Sequence, residues 1–329
     1  MAMKRKLEDF GELWPAEEQI LAEIDSGEDI ELHDGLPPKT PSEKYDVRAE
    51  FIRYLALGGC KACGLHEKGL RIVGARIIGV LDLEGGDLPR DLGLFACPFE
   101  SELVFLSAKL QSLFLNHSLL PEGLSADRLE AKGNVVLDGV EAHGAVRLLG
   151  AKLGGDLDCD GVTFNAAKDG AGKPTGFAFG ADGLEAKGSL LLRDVEAHGE
   201  VRLLGAKLGG DLECSGATFS AAKDGEGKTT GAAFGADRLE AKGSFFLRDV
   251  EAHGEVRLLG AKLGGNLDCE GATFNAARED AGKSAGVAFG ADMLEAKGSF
   301  FLRGGARISG RISLGLVEIH RELMMAADI

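Results

Sequence analysis

Gly-Lys-Ser/Thr signals stand in two polar stretches of this chain, and phosphate binding is the first chemistry they suggest. Ala222–Thr229, "AKDGEGKT", and Ala277–Ser284, "AREDAGKS", fit the loose pattern of Ala or Gly, four residues, Gly-Lys and a hydroxyl residue. In that chemistry Lys228 and Lys283 reach phosphates, while Thr229 and Ser284 hold magnesium. A phosphate loop must also open a helix, whose N-terminus supplies the favourable field. Here "TGAAFGAD" follows and reads as a strand, acids sit inside each loop, and a third copy has Pro174 after Lys173. The pattern is read as a coincidence of polar loops.

Metal and thiol chemistry is the next possibility. "CKACGLH" supplies Cys60, Cys63 and His66, spaced for zinc or for a dithiol couple. A structural zinc site needs a fourth ligand, and only Cys97 or His33 could come from afar. These three are weak metal candidates, and ordinary thiols in a linker are the expectation. Cys159, Cys214 and Cys269 share an inward position of a repeat and read as small core residues. His143, His198 and His253 share an outward position, each two residues after Glu141, Glu196 or Glu251. Copies ~10 Å apart cannot share a metal ion, and acid-base work would need a pocket that a flat face lacks. No GxGxxG, GxSxG or HExxH is present. No catalytic residue, cofactor or bound metal is expected.

What positions these residues is a repeat. "DVEAHGEVRLLGAKLGG" occurs at Asp194–Gly210 and again, letter for letter, at Asp249–Gly265. Modules of 55 residues start at Arg128, Gly183, Arg238 and Met293. Each is built from 11-residue units such as Gly205–Ser215, "GAKLGGDLECS". Apolar residues at positions 2, 4, 8 and 10 alternate with charged ones, which predicts short strands with one buried face. Because 11 is odd, positions 11 and 1 both face outward and the chain turns there. A single unit cannot bury its face alone, but stacked units can. Two units make a 22-residue coil with four short faces.

The register can be tested on side chains. With two-unit coils, position 3 of one stack reads Glu130, Lys152, Glu185, Lys207, Glu240, Lys262, Glu295, with alternating signs. Position 4 of the other stack alternates Ala142, Phe164, Ala197, Phe219, Ala252 and Phe274, filling a narrow core without overpacking. The expected fold is all-β: a right-handed quadrilateral parallel β-helix (solenoid) of about ten 22-residue coils, ~48 Å long, with a small helical N-terminal cap. Its expected division is a cap over 1–59, a linker over 60–68, the solenoid over 69–314 and a C-terminal cap or tail over 315–329. In the cap, Pro15 opens a helix with Ile20, Leu21 and Ile24 on one face. "DVRAEFIRYLALGG" predicts a second, with Val47, Phe51, Tyr54 and Leu55 inward and Gly58 and Gly59 as its stop. Val317, Ile319 and Leu323 are expected to cover the far end. Open coil ends would permit end-to-end homo-oligomers.

Each module carries one Gly-rich polar excursion: Ala166–Gly176, Ala221–Gly231 and Ala276–Gly286. Two coils apart, they are expected on one edge of the rod, where repeated loops commonly bind. The contact candidates are Lys168, Asp169 and Lys173 in the first; Lys223, Asp224, Glu226 and Lys228 in the second; and Glu279, Asp280 and Lys283 in the third. The net charge of −16 argues against direct nucleic-acid binding. No run is apolar enough to span a bilayer and no signal-peptide core is seen, so a cytoplasmic protein with reduced thiols is expected.

The stacked units resemble the pentapeptide-repeat class of right-handed β-helices. "VRAEFIRYL", "GLHEKGLRIVGARIIGVLDLEG" and "GEVRLLGAKLGGDLEC" are similar to segments of a bacterial family often labelled "membrane-associated oxidoreductase". The first resemblance implies a rod, in some members a DNA mimic that binds topoisomerase. The second implies an oxidoreductase, but brings no catalytic residues. From the residues, the expected function is a non-enzymatic scaffold that binds a protein partner through its loop edge; the alternatives are a DNA-mimic modulator and an oxidoreductase.

Overall fold

Alternation with a period of two makes the units strands, and a computed structural model shows how they stack. It describes residues 5–60, 63–166, 176–223, 229–276 and 286–328, with the side chains of Lys223, Thr229 and Thr230 excepted. The chain winds past four parallel sheets of 12, 8, 10 and 9 strands, and strands adjacent in a sheet come from successive coils. Each coil visits them in one order. A leucine face (Leu157–Asp158, Leu190–Leu191) is followed by a histidine face (Thr163–Asn165, Glu196–His198). An arginine face (Phe177–Gly180, Glu200–Arg202) and a lysine face (Glu185–Ala186, Lys207–Leu208) complete the coil. The protein is an all-β parallel solenoid.

The register is the one that the side chains demanded. Glu130 pairs with Lys152, Lys152 with Glu185, Glu185 with Lys207 and Lys207 with Glu240. Ala142 lies beside Phe164, Phe164 beside Ala197 and Ala197 beside Phe219. A second row was not anticipated. On the arginine face Val146, Phe179, Val201, Phe234, Val256 and Phe289 also alternate small and large. The two rows are in phase, so both phenylalanines fall in one coil and touch. Ring centroids are 4.8 Å apart for Phe164 and Phe179, and 4.9 Å for Phe219 and Phe234. All four rings are fully buried.

Corners obey simple chemistry. The residue at position 1 adopts a left-handed backbone, for example Gly205 at φ 64° and Gly161 at φ 62°. Asp194, Arg238 and Met293 hold the same conformation without being glycine, against a cost of roughly 1–2 kcal/mol. The corner between the lysine and leucine faces carries a side-chain ladder. Asn134 Oδ1 accepts from the Asp156 amide, Asp156 Oδ1 from Ser189 and Ser189 Oγ from Asp211. Asp211 Oδ1 then accepts from Ser244, Ser244 Oγ from Asn266 and Asn266 Oδ1 from Ser299. Each side chain satisfies an amide that no sheet reaches. Ser244→Ala would strand the Asn266 amide, which donates to Ser244 Oγ at 3.0 Å. The expected loss is about 1–3 kcal/mol, measurable as faster hydrogen exchange at Asn266 than at Asp211.

The ends differ from expectation. Helix α1 (Pro15–Glu23) and helix α2 (Ala49–Ala56) form as anticipated, burying Ile20, Phe51, Tyr54 and Leu55. Leu21 is only half-buried, while Ile52 is fully buried. Gly58, at φ 70°, donates its amide to Leu55 and ends α2. The cap is not purely helical. Ile30–Glu31 adds a parallel strand beside Ile72–Val73, and Asp46–Arg48 pairs with Arg76–Ile78. These strands occupy hydrogen-bonding edges that the first coil would otherwise leave open. Of the 12 strands of the leucine face, one comes from the cap, so the rod carries one coil more than ten. The ladders run past residue 314. Glu318–Ile319 and Leu323–Met325 form a last coil rather than a lid, and leave Leu316 83% and Leu323 53% exposed.

Candidate functional site

The repeat spreads its reactive side chains along the rod instead of gathering them. On the histidine face, His143 Nε2 lies 2.6 Å from Glu141 Oε1. His198 and His253 lie 3.2 Å from Glu196 and Glu251. Asn165 and Ser220 separate the histidines, so each Glu–His pair stands alone on an open sheet. Cys159, Cys214 and Cys269 are fully buried, and burial pushes each thiol well above its ordinary range. Cys97 is pushed up to about 12 by the same desolvation. A thiol that cannot ionise is neither a nucleophile nor a ligand.

The segment after the cap corrects an expectation. Cys60 and Cys63 are joined as a disulfide, with Cα atoms 5.3 Å apart, and are not reduced thiols. Oxidation removes both as zinc ligands. His66 packs its ring where a Cβ on Gly27 would stand, and its Nδ1 accepts from the Lys68 amide at 3.2 Å. Among the described residues no group of three His, Cys, Asp or Glu side chains could hold a metal ion.

Of the loop candidates, Lys168, Asp169, Lys173, Asp224, Glu226, Lys228, Glu279, Asp280 and Lys283 lie outside the described residues, as does the Lys223 side chain. The loop attachments are described. Every excursion leaves the histidine face, after Asn165, Ser220 or Asn275, and returns to the arginine face. The pairing of Thr163 with Glu196, Glu196 with Thr218, Thr218 with Glu251 and Glu251 with Thr273 sets these exits two coils apart at one corner.

Beside the returns sits an ionic row that sequence reading missed. On the arginine face Arg147, Arg202 and Arg257 alternate with Gly180, Gly235 and Gly290. Each guanidinium pairs with Asp127, Asp182 or Asp237 of the preceding coil. Those carboxylates also accept the amides of Leu149, Leu204 and Leu259, so they serve as staples. Glu200 and Glu255 lie against the returning chain, and desolvation raises both carboxyls. A carboxyl raised in the folded state stabilises below its unfolded pKa, and that stability is lost as pH rises through the folded value. Glu200→Gln is therefore expected to be more stable than the parent at pH 7. The gap should close near pH 4, and chemical denaturation at both pH values checks the sign.

One face is not flat. Along the lysine face runs a groove of about 860 Å³, lined by Lys109, Lys132, Lys152, Lys187, Lys207 and Lys242, with Leu110, Leu153 and Leu208 buried beneath it. Lysines at position 3 stand in the alternating row with glutamates, and among the described residues only Lys109 and Glu130 of that row close to an ion pair, at 3.3 Å. Lysines at position 5, namely Lys132, Lys187, Lys242 and Lys297, are exposed and make no ion pair among the described residues. Between them stand Gly154, Gly209 and Gly264, where a Cβ would strike the backbone oxygen of Lys132, Lys187 or Lys242. The signal was present in sequence as alternating "EAK" and "KLG", but only stacking shows that it makes a column.

Comparison with protein-family models, with curated proteins and with solved structures finds no match for this chain. Among the described residues no helix is long and apolar enough to cross a membrane.

Proposed function

We propose that this chain is a non-enzymatic interaction scaffold that holds a protein partner along its rod. One observation carries the reading: polar groups are displayed at two-coil intervals, as isolated Glu–His pairs, stapled Asp–Arg pairs and a lysine column. Repeated display suits an extended partner that gains affinity from many weak contacts. Catalysis needs the opposite, a nucleophile, base and electrophile brought together. The shared corner of the three excursions adds a second repeated edge.

The test is an affinity capture from native extract with identification by mass spectrometry. The full chain is run beside one with its three loops cut to Gly-Ser and one with serine at the column lysines. A protein retained by the parent and lost by either variant is the expected result. Equal capture of a topoisomerase by all three would favour the DNA mimic, which the −16 charge and the rod shape suit. The lysine face interrupts the continuous negative rows that a mimic should present. A visible absorption band in the purified protein would move the oxidoreductase reading ahead.

A further inference from the structure

We infer that the lysine face binds an acidic segment in polyproline II conformation, with a carboxylate at every third residue. This rests on the scaffold reading and supplies the chemistry of its partner. The position 3 lysines have glutamates on neighbouring coils, as Lys207 has Glu185 and Glu240, so that row is close to neutral. The position 5 column has no such neighbours, because glycine alternates with lysine there. What remains is Lys132, Lys187, Lys242 and Lys297, one lysine per two coils, in a chain of net charge −16.

The spacing selects the ligand. Two coils rise ~9.6 Å at the usual strand separation. A polyproline II chain repeats every three residues and rises ~9.3 Å in that distance, so every third side chain points the same way. Over the three intervals from Lys132 to Lys297 the mismatch is about 1 Å, within the reach of a flexible lysine stem. A β-extended peptide fails, since its same-face side chains recur at ~6.6–6.8 Å. A nucleic-acid strand carries a charge on every residue and would meet Glu130, Glu185 and Glu240, which stand two residues before the column lysines. The aliphatic stems of the lysines that line the groove suit prolines between the carboxylates. The ligand's preformed backbone also keeps the ordering cost low.

The probe is fluorescein-labelled (Glu-Pro-Pro)4, titrated with the full chain and read by anisotropy at about 50 mM salt, where charges act over more than ~10 Å. A peptide of the same composition with its four glutamates consecutive, and a twelve-residue oligothymidine, are titrated beside it. The periodic peptide is expected to bind at least tenfold tighter than the clustered one. K132S/K187S/K242S/K297S should lose at least tenfold, and K152S/K207S/K262S much less. If the quadruple variant loses its strand circular dichroism, K187S/K242S takes its place, with at least a threefold loss expected. Equal affinity for both peptides, undiminished binding by the column variant, or tighter binding of the oligothymidine would each overturn the inference. The scaffold reading is separately exposed: it stands if extract capture depends on the loops while no peptide binds here, and falls if neither surface matters.

Discussion

Glu17→Ala should detach the N-terminal cap while leaving most of the rod folded. Glu17 is fully buried, and both of its oxygens are engaged. Oε1 accepts from the Arg48 amide at 3.1 Å and from its Nε at 2.8 Å, while Oε2 accepts from Arg48 Nη2 and from the Trp14 amide. Arg48 in turn donates Nη1 to the Phe10 carbonyl at 2.8 Å and stacks over Trp14 at 5.1 Å. The hydrogen bonds to Glu17 raise the pKa of Arg48, and a guanidinium is basic enough to stay charged even when that partner is removed. An unpaired charge in such a place costs about 3–5 kcal/mol. Replacing both residues by apolar ones should recover most of that, since no charge is then stranded. Trp14 is the only tryptophan in the chain. Its fluorescence follows the cap, while far-ultraviolet circular dichroism follows the rod. Glu17→Ala should pull the fluorescence midpoint well below the dichroism midpoint. Coincident, unchanged midpoints would refute the account. The cap also docks through Asp46, whose carboxylate meets the buried Arg76 of the first coil at 2.9 Å. Hydrogen exchange should therefore quicken next in Leu70–Val73, whose edge the cap strand covers.

Phe234→Ala is expected to cost about 3–5 kcal/mol, the range for emptying an aromatic core site. Phe234 is fully buried between Phe219, at 4.9 Å, and Phe245, at 5.8 Å. Neighbouring coils offer only Val201 and Val256 in its row, too short to fill the space. In a solenoid each coil contacts its neighbours alone, so the damage should be local. Exchange should accelerate from Leu212 to Leu258 and hardly at all near Val135. Uniform acceleration along the rod would show that the coils unfold as one unit. Phe234→Leu, which keeps most of the volume, should lose markedly less.

Much of this fold was legible before any coordinates. The 11-residue period, the inward and outward alternation, and the rows Glu130–Lys152–Glu185 and Ala142–Phe164–Ala197 are properties of spacing, and they reappear as sheet pairings. The cap strands were not legible, because Asp46–Arg48 continues without a break into α2 and carries no turn signal of its own. Neither was the last coil, whose exposed Leu316 and Leu323 do not alternate as the repeat does.

The division has a physical cause. A period of two along the chain and a repeat of coils across it are local regularities, so the sequence by itself determined the strands, their buried faces, the register and the corners where excursions leave. Contacts between residues that no regularity relates were decided by tertiary structure alone. Glu17 meets Arg48 across 31 positions, and Asp46 meets Arg76 only because the cap seats on the first coil. The lysine column was also decided there: "EAK" and "KLG" are neutral in outline until stacking sets one glutamate row against the other lysines and leaves Lys132, Lys187, Lys242 and Lys297 with no ion pair among the described residues.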